Sequence, residues 1–128
     1  RNHSSAASDV YKRQGGGSGV MEAISKGAEK GNGLVIGILK GRNLEEANKF
    51  ISIPILTDIG IARNAILAYN CDVALAISGN YGTLSEIAYA FQLKKPVVGY
   101  KTWGINPIIK AKSPEDVMLK IKKEFMNV

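Results

Sequence analysis

The sequence predicts an open, mostly parallel α/β sheet with helices on both faces. Apolar runs rich in β-branched residues alternate with stretches of helical periodicity along most of the chain. The run Leu34–Leu39 is apolar on both faces, as expected of a buried parallel strand. Turns containing glycine lead into the helical stretches. A length of 128 residues is typical of one domain.

The predicted elements follow one another without an internal repeat. A helix begins at Ser18 or Gly19 and ends by Gly31, and residues 43–49 form either a short helix or a loop. The later predicted elements are a strand over Ile51–Ile55, a helix from Thr57 or Asp58 to about Tyr69 with Ile59, Ala62, Ala65, Ile66 and Tyr69 as its apolar face, a strand over Asp72–Ile77, a helix over Thr83–Leu93, a strand over Pro96–Tyr100, a short strand near Ile108–Ala111 and a helix from Pro114 to about Phe125.

Composition restricts the class of protein. The chain has a net charge of +6 and one cysteine, Cys71, so a disulfide framework is excluded and a cytoplasmic location is predicted. No apolar stretch has membrane-spanning length, and no His, Cys and carboxylate cluster has the spacing of metal ligands. The C-terminal lysines lack interleaved aromatic residues, which favours a solvated helix face over a nucleic-acid site.

Residues 1–14 differ from the rest of the chain. They show neither helical nor strand periodicity, and they look like a translated sequencing adapter joined to the protein. We therefore expect a non-native, disordered head over residues 1–14 and one folded domain over residues 15–128. The only histidine, His3, lies in this head and is given no functional role.

Two glycine-containing turns indicate an anion site. Gly15–Gly19 precedes one predicted helix, and Ser78–Gly82 joins an apolar strand to another. Backbone N–H groups at a helix N-terminus, together with the helix dipole, favour a bound phosphate. Because ligands of parallel sheets bind at the carboxyl ends of strands, we expect both turns on one edge of the sheet.

Three segments resemble the Lonely Guy (LOG) and lysine decarboxylase-like Rossmannoid family. They are Gly15–Met21, Ile61–Asn64 and Ser78–Glu86, which match a GGG-x-x-G-x-M loop, an Arg-Lys pair and a PGGxGTxxE loop. The resemblance covers about Gly15 to Phe125, implies a Rossmann-like fold, and is strongest to the subgroup of molybdenum-cofactor carrier proteins. It also implies that the first βα unit of the family is missing from this chain.

Three departures from the family pattern bear on the site. Ser78 replaces the proline, Asn80 replaces the second glycine, and Asn64 replaces the lysine. Asn80 is expected to preserve the turn, because asparagine accepts positive φ better than other residues with a side chain.

The resemblance to LOG enzymes implies hydrolysis of the N-glycosidic bond of a nucleoside 5′-monophosphate to a free base and ribose 5-phosphate. Glu86 and Arg63 are the catalytic candidates: Glu86 to steady the ribose centre or position water, and Arg63 to bind phosphate or orient Glu86. The alternatives are a capping box between Thr83 and Glu86, and a surface position for Arg63. The predicted phosphate- and nucleotide-binding residues are Gly16, Gly17, Ser18, Gly19, Met21, Asn64, Gly79, Asn80, Tyr81, Gly82 and Thr83.

The sequence is compatible with other functions. One alternative is a non-catalytic carrier of the molybdenum cofactor, and a second is a single-stranded DNA binder, because DNA-processing protein A shares this fold type. No cofactor is required, although the molybdenum cofactor is a candidate ligand, and the family implies a homodimer or homotetramer formed through the helix Asp58–Tyr69. Tyr81 either stacks on a base or covers its loop, and Trp103 lines either the pocket or an interface.

Overall fold

The computed structural model describes residues 36–46 and 51–126. The elements are β1 (Ile36–Leu39), β2 (Ile53–Leu56), α1 (Arg63–Asn70), β3 (Ala74–Ser78), α2 (Tyr81–Gln92), β4 (Val97–Thr102), β5 (Ile109–Lys110) and α3 (Pro114–Met126). Short 3₁₀ helices lie at Leu44–Glu46 and Gly60–Ala62. No helix in these two stretches combines the length and apolar character that crossing a membrane requires.

All strand pairs in the described residues are parallel, which confirms the predicted α/β class. They form a two-stranded sheet, β1–β2, and a three-stranded sheet in the order β3–β4–β5, whereas the sequence analysis predicted a single sheet. The guanidinium of Arg63, at the start of α1, donates from Nη1 to the carbonyl oxygen of Ile38 at 3.0 Å and so joins this helix to β1.

Helices cover both faces of the three-stranded sheet, as predicted. Ala76 of β3 and Val97 of β4 pack against Ile87 and Ala90 of α2. The neighbouring residues of the same strands point to the other face, where they contact α3. That second cluster consists of Val73, Leu75, Ile77, Val98 and Val117, with Ile121 and Phe125 packed against it. The alternation follows from the period of two along each strand.

The start and the apolar face of α1 differ from the prediction. Thr57 does not cap this helix; its hydroxyl donates to the carbonyl oxygen of Leu39 at 2.6 Å, and the N-cap position is Ala62. Asp58, whose φ is 54°, precedes this N-cap position in the sequence and does not cap α1 either. The buried residues are Arg63, Asn64, Leu67 and Ala68, whereas Ile59 and Tyr69 are exposed. The contact between copies of the chain through this segment stays a prediction.

The boundaries of α2 and α3 are closer to the prediction. α2 begins at Tyr81, two residues before the expected start, because Asn80 serves as its N-cap. α3 begins at Pro114, as predicted, and its N-terminus is capped by Ser113, whose Oγ accepts a hydrogen bond from the backbone N–H of Asp116 at 3.0 Å. The side chain of Val117 is fully buried, as the helical period predicts.

Candidate functional site

The turn from β3 to α2 is built around the Asn80 side chain. Asn80 has an extended backbone (φ −83°, ψ 171°), and its side chain accepts a hydrogen bond from the N–H of Thr83 at 2.8 Å. Asn80 therefore preserves the turn, as expected, but by capping the helix and not by taking a positive φ. Asparagine is a favourable N-cap residue in this extended conformation, and its oxygen satisfies a donor that the helix cannot.

Positive φ occurs two residues earlier, at Ser78. Its φ is 84°, and the pairing of β3 with β4 is irregular between Ile77 and Ser78. A residue with a side chain pays a steric cost of about 1–2 kcal/mol in left-handed geometry. The carbonyl oxygen of Ser78 accepts a hydrogen bond from the Thr102 hydroxyl, which ties this strained residue to the end of β4. Strained residues of this kind cluster at ligand sites.

Thr83 supports the turn from inside. It is fully buried, and its hydroxyl donates to the carbonyl oxygen of Ile77 at 3.3 Å and lies 3.2 Å from the Ser78 hydroxyl oxygen. Its N–H is taken by Asn80, so the capping box between Thr83 and Glu86 is contradicted. The amides of Tyr81 and Gly82 also belong to the first turn of α2, where no intrahelical acceptor is available.

Two polar residues of α1 are buried near this turn, and one of them contacts it. Arg63 and Asn64 are both fully buried, which rules out the surface alternative for Arg63. The amide nitrogen of Asn64 donates to the carbonyl oxygen of Gly82 at 3.2 Å and to Ser85 Oγ at 2.8 Å. The Ser85 hydroxyl in turn donates to the Gly82 carbonyl oxygen at 2.8 Å. Asn64 thus fastens α1 to the first turn of α2.

The electrostatics of the site depend on Arg63 and Glu86. Burial lowers the pKa of Arg63 to about 10, and the negative charge of Glu86 opposes that fall. Arg63 therefore remains a cation near neutral pH. Glu86 is itself buried, with 8% of its surface exposed, one turn into α2. The two residues thus interact electrostatically, and their catalytic role stays a prediction.

A pair of aromatic side chains lies beside the same turn. Tyr81 and Trp103 are stacked, with ring centroids 6.3 Å apart and an interplanar angle of 26°. The indole N–H of Trp103 donates to the carbonyl oxygen of Asn80 at 3.0 Å. Sequence reasoning left the place of Trp103 open between pocket and interface, and it missed Ser85 and Thr102. Ser85 stands inside the PGGxGTxxE-like segment, whereas Thr102 carries no sequence signal.

Part of the predicted site lies outside the described residues. Gly16, Gly17, Ser18, Gly19 and Met21 all fall there, so their place relative to α2 stays a prediction. The turn from Gly79 to Thr83, with Arg63, Asn64 and Glu86, lies within the described part. Within residues 36–46 and 51–126, no group of three or more His, Cys, Asp or Glu side chains is arranged to hold a metal ion.

The fold and the turn define an α/β protein of Rossmann-like type with a candidate anion site at the carboxyl end of β3. The chain belongs to the SLOG cluster4 family, whose sequence pattern it matches over residues 6–127. It is also 46% identical over 87 residues to an uncharacterized protein from Archaeoglobus fulgidus. That alignment covers 68% of this chain and 57% of the archaeal protein, so the chain matches little more than half of this relative's length.

Solved structures with the same fold include molybdenum-cofactor proteins. One is the molybdenum cofactor binding protein from Rippkaea orientalis, with a TM-score of 0.70 and 28% identity over 97% of this chain and 86% of that protein. Another is the molybdenum cofactor carrier protein from Chlamydomonas reinhardtii, with a TM-score of 0.68 and 28% identity. That match covers 83% of this chain and 71% of the algal protein. The likeness to the LOG and carrier group is thereby confirmed.

Proposed function

We propose that this protein binds the molybdenum cofactor, a phosphorylated pterin, at the turn between β3 and α2, and carries it without hydrolysing it. The phosphate is bound by first-turn amides of α2, with Tyr81 and Gly82 as the donors. Asn64 and Asn80 hold the geometry of this turn through hydrogen bonds to its backbone. The similarity to two proteins described as binding or carrying this cofactor supports the choice of ligand.

The surroundings of Glu86 carry the choice between a carrier and a hydrolase. A hydrolytic carboxylate must contact the ribose or its attacking water. Glu86 is instead almost fully buried and offsets the charge of Arg63, whose guanidinium is engaged with β1. We therefore assign Glu86 a structural role, in which its negative charge offsets the buried positive charge of Arg63.

Hydrolysis of a nucleoside 5′-monophosphate is the second candidate. The observation in its favour is that Arg63 and Glu86, the two catalytic candidates from the LOG-like motifs, are both buried and interact electrostatically. A ligand-induced movement of α2 that exposes the Glu86 carboxylate would convert the same arrangement into a catalytic one. The two candidates share the phosphate site and differ in whether a base is released.

The test compares retention with turnover on the same protein sample. The chain is incubated anaerobically with molybdenum cofactor released from a molybdoenzyme and separated by gel filtration, and molybdenum and pterin are measured in the protein fraction. Parallel samples with AMP, GMP, CMP and UMP are analysed for free base, and a fluorescent oligonucleotide tests the DNA-binding alternative. Equimolar retention of the cofactor, without base release and without oligonucleotide binding, is expected.

Two variants sharpen this comparison. Glu86→Gln keeps the shape of the side chain and removes its charge, and Glu115→Gln makes the same change at an exposed position in the first turn of α3. Glu115→Gln is expected to behave as wild type, whereas Glu86→Gln is expected to lower both the melting temperature and cofactor retention. If the wild-type protein releases base and a folded Glu86→Gln variant does not, the carrier proposal is wrong and the protein is a hydrolase.

A further inference from the structure

The ring of Tyr81 occupies an unusual position for an aromatic side chain. Its exposed fraction is 81%, the second largest among the exposed large apolar and aromatic side chains of the described residues. The ring is stacked on Trp103, and most of the surface of Tyr81 remains exposed to solvent. A ring that covered its own loop would be buried by that loop. The exposure therefore contradicts the covering alternative and leaves an aromatic surface open to a ligand.

The partner ring is fixed in place. Trp103 is partly buried against the cluster of Ala76, Ile87, Val97 and Ile108, and its indole N–H is bonded to the Asn80 carbonyl oxygen at 3.0 Å. The centroid separation of 6.3 Å lies in the range of offset-stacked aromatic pairs. Trp103 thus attaches the pair to the same turn that carries the first amides of α2.

The direction of the Tyr81 side chain places its ring toward the anion site. Tyr81 is the first residue of α2, directly after the N-cap. In an α-helix every Cα–Cβ bond tilts toward the N-terminus, so the ring of a first-turn residue extends past the end of the helix. A phosphate at the first-turn amides and a flat group attached to that phosphate would therefore lie beside the exposed aromatic face.

We propose that Tyr81 and Trp103 form an aromatic platform that stacks on the planar heterocycle of the phosphorylated ligand, a proposal that rests on the function proposed above. The amides of α2 bind the phosphate, whereas the platform recognises the ring system. Aromatic stacking discriminates weakly among heterocycles, because every planar base or pterin presents a π-face. The platform therefore selects ligands with a fused heterocycle over a sugar phosphate alone.

The single tryptophan of the chain provides the readout. Tryptophan fluorescence is titrated with three probes: the molybdenum cofactor, GMP, whose guanine shares the aminopyrimidinone ring of a pterin, and ribose 5-phosphate, which has no heterocycle. The variants are Tyr81→Phe, which keeps the ring, Tyr81→Ala, which removes it, and Tyr89→Ala, which removes a partly exposed tyrosine further along α2.

The platform predicts a distinct pattern. The cofactor quenches Trp103 fluorescence, and its affinity is kept in Tyr81→Phe and Tyr89→Ala but falls about tenfold or more in Tyr81→Ala. The affinity for ribose 5-phosphate is the same in all four proteins. Unchanged cofactor affinity in Tyr81→Ala overturns the platform and leaves the carrier function intact. Failure of wild type to bind the cofactor, GMP or ribose 5-phosphate overturns both proposals.

Discussion

Asn80 illustrates how one residue changes the way a phosphate-binding turn is built. At the matching position the LOG pattern has glycine, which leaves all first-turn amides to a ligand. Here the Asn80 side chain takes the N–H of Thr83, and the Thr83 hydroxyl is bonded to Ile77. The turn is consequently capped by its own residues, and the amides of Tyr81 and Gly82 are left for the ligand.

Ser78 is a second departure with a physical consequence. Its φ of 84° cannot be adopted by proline, because the pyrrolidine ring fixes φ near −65°. The loop conformation described here therefore requires that the proline of the family pattern be absent. Sequence comparison identified the substitution but not its effect, since a serine is compatible with many backbone conformations.

The cap at Asn80 leads to a prediction about stability. Asn80→Ala removes the acceptor of the Thr83 N–H and is expected to lower the free energy of unfolding by about 1 kcal/mol. Asn80→Ser supplies another capping oxygen and is expected to retain most of that stability. Urea denaturation followed by circular dichroism measures both variants. Equal losses for Ala and Ser would mean that the hydrogen bond to Thr83 does not stabilise α2.

At the scale of the elements, sequence periodicity was most reliable where the buried residues are apolar. It predicted β3, β4, α2 and α3 nearly at their observed positions, because each of them buries apolar side chains with a clear period. Sequence periodicity did not identify the buried face of α1, because that face includes the polar residues Arg63 and Asn64. A buried arginine cannot be distinguished from an exposed one by hydropathy, and its acceptor on β1 is distant in sequence.

The packing of β4 against β5 leads to a prediction about a glycine. A Cβ added at Gly99 would lie 2.7 Å from the Cγ2 atoms of both Ile108 and Thr102. Both methyl groups belong to β-branched side chains, which have little rotational freedom. Gly99→Ala is therefore expected to lower the free energy of unfolding by about 1–3 kcal/mol through overpacking.

Gly79 provides the matched control on the neighbouring strand-to-helix turn. A Cβ added there meets no atom within 4 Å, so Gly79→Ala is expected to unfold at nearly the same urea concentration as wild type. Thermal and urea denaturation of both variants separate a steric effect at Gly99 from a general effect of removing glycine. Equal destabilisation of the two variants would contradict the packing described for β4.

At the scale of the whole molecule, the chemistry of the site depends on contacts between distant segments. The turn after β3 is joined to α1 through Asn64, to β4 through Thr102, and to the loop after β4 through Trp103. The sequence motifs identified the turn and its charged residues. They did not identify these connections, because each of them is set by the packing of helices on the sheet and has no local pattern.

The labelling rate of Cys71, the only cysteine, can be used to measure whether this packing is intact. It is buried after α1, and burial raises the pKa of its thiol more than the nearby charge of Lys95 lowers it. Because the thiolate is the reactive form, labelling by a disulfide reagent at pH 8 is expected to be at least about tenfold slower in the folded protein than in urea. The labelling rate should increase with the population of unfolded protein across a urea series.

The direction of this pKa shift also fixes how stability changes with pH. A thiol whose pKa is raised by folding contributes fully below the pKa of the unfolded chain and loses its contribution as pH rises through the folded pKa. The difference in free energy of unfolding between wild type and Cys71→Ala should therefore shrink at alkaline pH, while the titrations of tyrosine and lysine cancel in that difference. Urea denaturation of both proteins at pH 7 and pH 10 measures it. If this difference in free energy of unfolding grows with pH, Cys71 is not shielded by α1 as described. Rapid labelling of the folded protein would contradict the same description.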